Sequence, residues 1–157
     1  INEINQEVQA IPKHPTGAVQ PTLLYVEDNP ANLSLMEELI ARRPDLRLIS
    51  AADGNLGVEY ARTYLPEVIL MDLHLPGISG IEAMKILRAD PTTAHIPVIA
   101  VSAYALKADI ELALDAGCFN YITKPFKLNE FMIALDVALR FSQRHSAIAA
   151  NLKSRNG

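Results

Sequence analysis

Five times along the chain, a short apolar run, in most cases Val/Ile/Leu-rich, is followed by a longer stretch with recognisable helix ends. The runs are TLLYVE from Thr22, LRLIS from Leu46, VILMD from Val68, PVIAVS from Pro97 and FNYIT from Phe119. Runs this short and this apolar fit strands buried on both faces, which is the condition of a parallel sheet. LRLIS alternates instead, so it is expected at a sheet edge. The intervening stretches carry helix punctuation. Asn29 can cap the first, with Pro30 at its first position, and that helix should stop before Pro44. A second stretch around Leu56, Ala61 and Leu65 stops at Pro66, while Asp53-Gly54 reads as a turn. Ser79 and Glu82 form a capping box for the third, Gly117 sits where a glycine would end the fourth, and the last starts near Leu128.

Right-handed crossovers and helices on both faces then lead to an α/β, (βα)5 doubly wound, five-stranded parallel sheet of order 2-1-3-4-5. A length of 157 residues suits one such domain with a full core. Residues 1–21, with three prolines and no period, read as a linker or tail, 22–140 as the domain, and 141–157 as an extension of the last helix. A net charge of −4 argues against a nucleic-acid-binding face, and no apolar run is long enough to span a membrane. The lone Cys118 reads as a buried small hydrophobe. The N-terminus shows no signal-peptide pattern, and a first residue of Ile rather than Met suggests a piece of a longer protein.

Ligands of doubly wound sheets bind at the carboxyl ends of the strands. There the sequence places Glu27 and Asp28 after strand 1, Asp72 at the end of strand 3, Ser102 at the end of strand 4 and Lys124-Pro125 after strand 5. Three gathered carboxylates repel one another unless a proton or a cation joins them. Hard oxygen ligands of this kind suit Mg²⁺. A carboxylate is also a competent nucleophile toward phosphorus, with a lysine and a hydroxyl to engage the transferred group. Taken singly, each residue reads as an ordinary strand-end or surface polar group.

LLYVEDNPANL, VILMDLHLPGISG, PVIAVSAYA and NYITKPF resemble the signature segments of two-component receiver domains, in order and on the right strands, from about Thr22 to about Arg140. The resemblance implies a flavodoxin-like receiver fold and assigns roles. Asp72 would be the phosphoacceptor. Asp28, Glu27, Asp72 and the backbone carbonyl of His74 would hold Mg²⁺. Ser102 would be the switch hydroxyl and Tyr121 the switch aromatic. Lys124 would pair with the phosphoryl group, and Pro125 would follow a cis peptide. Ala103 leaves room for the phosphoryl group, and His74 and Tyr104 fall where such domains vary. The implied partners are a histidine kinase or a histidine phosphotransfer protein, and the implied setting is the cytoplasm, including the cytoplasmic part of a membrane sensor. The segments look most like receivers at the C-terminus of hybrid sensor kinases, with a stand-alone receiver as the second reading. No kinase domain or DNA-binding domain is expected in this chain.

Three other readings are open. An aspartate-nucleophile phosphatase would show D-x-D, whereas the chain has Asp72-Leu73-His74. A flavin or nucleotide site would want a glycine-rich phosphate loop after strand 1, where Pro30-Ala31-Asn32 stands. A receiver that has lost its chemistry would be a pure protein-interaction module, which the Asp28, Asp72 and Lys124 set argues against.

The last helix should run on past Arg140, since no Gly or Pro interrupts it before Gly157. Leu128, Phe131, Leu135 and Ala138 should face the sheet. Ser142, His145, Ala149 and Leu152, with Ile148 beside them, would then have no sheet to cover. They could meet a second copy, giving a homodimer, or the segment around Ile4, Val8 and Ile11. His14, His95 and His145 read as surface residues without partners.

Overall fold

The computed structural model describes residues 20–156. Strands β1 (Thr22–Val26), β2 (Arg47–Ala51), β3 (Val68–Asp72), β4 (Val98–Ser102) and β5 (Asn120–Thr123) alternate with helices α1 (Pro30–Ile40), α2 (Gly54–Tyr64), α3 (Gly80–Ala89), α4 (Lys107–Asp115) and α5 (Leu128–Asn156). All strand pairs are parallel and the order is β2-β1-β3-β4-β5. β2 is therefore an edge strand, as its alternation implied. The three inner strands are buried along their whole length.

Because strand side chains alternate between faces, the sheet divides the core in two. Leu24, Val26, Ile69 and Met71 pack under α2, α3 and α4 with Val58, Met84, Leu87 and Ala113. Leu23, Tyr25, Leu70 and Val101 pack under α1 and α5 with Met36, Ile40, Phe131 and Leu135. N-caps explain where the helices start. Asn29 accepts from Ala31 N and Asn32 N, and Ser79 Oγ from Glu82 N at 3.1 Å. Asp53 also caps, accepting from Leu56 N at 2.8 Å, so Asp53-Gly54 opens α2 and is no free-standing turn. Leu65, expected inside that helix, is its left-handed C-cap at φ 46. Gly117, at φ 96, follows the end of α4 where a side chain would be strained.

α5 has 29 residues. It does not leave the domain at Arg140. Ser142 is buried, the Phe141 ring packs on Phe119, and His145 stacks on His95 with centroids 4.6 Å apart. Both histidines are at the surface, but each partners the other. Past His145, Ile148 and Leu152 are exposed. The segment around Ile4, Val8 and Ile11, and His14, lie outside the described residues. Cys118 is buried. Among the described residues no helix is long and apolar enough to cross a membrane.

Candidate functional site

At the carboxyl edge of the sheet, β1 and β3 end side by side and deliver their acidic residues together. Carboxylate oxygens of Glu27, Asp28 and Asp72 lie within 4.8 Å of one another. Glu27 and Asp72 are 3% and 4% exposed, whereas Asp28 opens to solvent. The loop after β5 brings in Lys124, whose Nζ stands 2.6 Å from Glu27 Oε1 and 3.0 Å from Asp72 Oδ2. Its own N–H donates to the Ser102 carbonyl at 2.8 Å, which ties that loop to the end of β4. The Lys124–Pro125 peptide is cis.

Each carboxylate has further donors. His74 N donates to Asp72 Oδ1 at 2.9 Å, and Asp28 N to Glu27 Oε2 at 3.1 Å. Tyr25 Oη donates to Glu27 Oε1 at 3.0 Å. Burial and the adjoining Glu27 carboxyl push Asp72 up to about 6. For Glu27, burial pushes upward too, but hydrogen bonds with Asp72, Lys124 and Tyr25 outweigh it and hold the group at about 2. The two carboxyls therefore titrate as a pair bridged by Lys124, and a proton taken up as pH falls through about 6 goes to Asp72. Burial opposes the Lys124 charge, yet the hydrogen bonds to Glu27 and Asp72 hold its ammonium above the ordinary range. Burial, followed by the Glu27 charge, holds the Tyr25 hydroxyl protonated, so it remains a donor.

The close approach of α3 completes the wall. A Cβ on Gly80 would lie 2.2 Å from the Asp72 carbonyl oxygen, so only glycine lets that helix start so near the site. Gly80 N donates to the Leu73 carbonyl at 3.2 Å.

On the β4 side, Ser102 is fully buried and its Oγ accepts from Tyr104 N at 3.1 Å. Tyr121 Oη donates to the Tyr104 carbonyl at 2.7 Å. One residue therefore connects the two expected switch residues through its backbone. The exposed His74 and Tyr104 rings meet edge to face at 5.0 Å over the same edge.

The structure thus brings together Glu27, Asp28, Asp72 and Lys124, and places Ser102 and Tyr121 on a common neighbour. Sequence reasoning passed over Tyr25. Its signal was a hydroxyl among the apolar residues that follow Thr22 in the strand, two residues before Glu27 and so on the same face.

A family model described as the response regulator receiver domain matches residues 23–136. Among curated relatives, the polar-differentiation response regulator DivK of Brucella anthropi is 40% identical over 111 residues, which is 71% of this chain and 89% of that protein. The receiver domain of sensor histidine kinase PA1611 from Pseudomonas aeruginosa is similar in structure, with a TM-score of 0.69, 34% identity, and coverage of 80% of this chain and 99% of that one. That protein has a magnesium ion coordinated in its active site cleft. Chemotaxis protein CheY4 of Vibrio cholerae shares the fold, with a TM-score of 0.72, 19% identity, and coverage of 77% of this chain and 100% of that one.

Proposed function

The chain belongs to the response regulator receiver domain family, and from that premise we propose that it is the phosphoacceptor of a two-component phosphorelay, with Asp72 as nucleophile. One observation carries the reading: a buried aspartate at the end of β3 stands between two further carboxylates and a lysine held 3.0 Å away. In the reaction, an Asp72 carboxylate oxygen attacks phosphorus of a phosphohistidine. The P–O bond forms as the P–N bond breaks, and the departing imidazole leaves with the electron pair and takes up a proton. Lys124 balances charge on the transferred group and Ser102 donates to one of its oxygens.

The donor set fits Mg²⁺: hard oxygens, two of them shielded, one open to water. Asp28, Asp72 and the His74 carbonyl would hold the ion, with Glu27 acting mostly through water. Bound there, Mg²⁺ would neutralise charge on the phosphoryl oxygens.

Tyr104 links the site to an output surface. If a phosphoryl oxygen draws in the Ser102 hydroxyl, Tyr104 N–H loses its acceptor, and the loop that also holds Tyr121 repacks. The signal then reaches the face formed by α4, β5 and α5, a two-state change biased by a local charge. The partners are a histidine kinase or histidine phosphotransfer protein, acting in the cytoplasm. A second copy of the chain is a further partner, through α5. The carrier is the C-terminal receiver of a hybrid sensor kinase, with residues 22–140 as the receiver.

The test is intact mass after exposure to acetyl phosphate, with and without Mg²⁺. One added phosphoryl group, dependent on Mg²⁺ and missing from Asp72→Asn, is expected. A chain that takes up none under any condition is an interaction module that lacks the chemistry.

A further inference from the structure

One face of α5 lies away from the domain core yet is lined by large apolar side chains. Ile133, Ile148 and Leu152 are 65%, 61% and 56% exposed, and Val137 and Phe141 45% each. At about 100° per residue, these five and Arg144 fall within about 100° of arc, adjoining the arc of Phe131, Leu135 and Ala138 that packs in the core. Their spacing reads the same from either end: Ile133, Val137 and Phe141 step by four, and so do Arg144, Ile148 and Leu152.

A helix face with that symmetry matches itself when reversed. We propose that it pairs with the same face of a second copy of this chain, the two α5 helices running antiparallel about a two-fold axis between Ser142 and Gln143. This gives a geometry to the self-association proposed above and does not depend on the phosphoryl chemistry. In this register Ile133 meets Leu152 of the second copy, and Val137 meets its Ile148. Phe141, whose ring is braced against Phe119, meets its Arg144 as a cation over an aromatic face. Glu130, on the same exposed stripe, meets its Arg155. Every contact occurs twice, as a two-fold interface requires. The shared span, Glu130 to Arg155, is on the order of 40 Å of helix.

Charge selects this arrangement over the parallel one. From Val137 to Asn156 the charged residues are Arg140, Arg144, Lys153 and Arg155, with no Asp or Glu. Parallel pairing would set Arg144 against Arg144 and Arg155 against Arg155. The antiparallel register brings Arg155 to the one acidic residue on the stripe, Glu130.

The test uses the full chain without any phosphodonor, so its outcome is separable from that of the phosphorylation assay. Val137→Cys and Ile148→Cys are made separately and oxidised with diamide, alone and mixed; both positions are at the surface, and native Cys118 is buried. A disulfide-linked dimer at least about tenfold more abundant in the mixture than in either variant alone is expected. Sedimentation should show self-association weakened by Glu130→Arg and restored by adding Arg155→Glu. Cross-linking within each variant alone would mean parallel pairing and would overturn the proposal. So would a dimer that neither cysteine pair traps. A chain monomeric at high concentration would also overturn it and assign the face to a different partner.

Discussion

With its Nζ 2.6 Å from Glu27 and 3.0 Å from Asp72, Lys124 neutralises two carboxylates whose side chains are 1% and 6% exposed. Lys124→Met keeps the bulk and removes the cation, leaving buried charge unpaired. A loss of roughly 1–3 kcal/mol is expected near neutral pH. The pH dependence has a definite sign. The folded Asp72 value is raised to about 6, so its ionisation costs stability above that value and protonation relieves the cost below it. The deficit of Lys124→Met should therefore shrink as pH falls through about 6, measured by urea unfolding on either side of it; a deficit independent of pH would place the effect elsewhere. Tyr121 is the other telling residue. Its hydroxyl holds the Tyr104 carbonyl, not the acidic cluster. Tyr121→Ala should leave Asp72 phosphorylation within about twofold of wild type while weakening the phosphorylation-dependent change at α4, β5 and α5, read by amide NMR shifts. Normal coupling in that variant would remove Tyr121 from the mechanism.

Helix α3 and helix α5 each depend on a contact that a single substitution can remove. Gly80→Ala would force a methyl to 2.2 Å from the Asp72 carbonyl and 2.8 Å from Leu73 Cα, both backbone atoms. The helix start must move, and a loss of at least about 1–3 kcal/mol, with slower phosphoryl uptake, is expected in thermal melts and acetyl phosphate assays. For α5 the contact is the His95–His145 stack. Burial, then His145 and Arg88, hold the His95 value below the ordinary imidazole range. A histidine with a depressed folded value contributes stability above its unfolded value and loses it as pH falls through the folded one. Acidification below about 6.5 should therefore release the helix beyond Ser142, seen as faster amide exchange there, and His145→Phe should reduce that pH dependence by removing the His145 contribution while burial of His95 persists. Unchanged exchange in the wild-type chain at low pH would show that the stack does not hold the helix.

Across the whole molecule, two cores on opposite sides of one sheet leave the carboxyl edge as the place where polar groups gather. Much of this was legible in the sequence, because continuous apolar runs fix buried strands and caps fix helix starts. Asp72 and Lys124 were legible because they stand at strand ends inside recognisable segments. The Tyr104 bridge was not, since it is made by backbone groups that every residue carries. The His95–His145 stack was not, since no period relates a loop residue to a helix residue so far along the chain. Asp53 was misread because the same side chain serves turns and N-caps. The central claim is one of selection: among the acidic residues the structure describes, Asp72 is the one proposed to carry a phosphoryl group. Borohydride reduction converts an aspartyl phosphate to homoserine, and peptide mass spectrometry locates it. After treatment with acetyl phosphate and Mg²⁺, homoserine is predicted at position 72 and nowhere else; reduction at Glu27, Asp28 or any other acidic residue, or none at all in a chain that carries phosphate, would contradict the account.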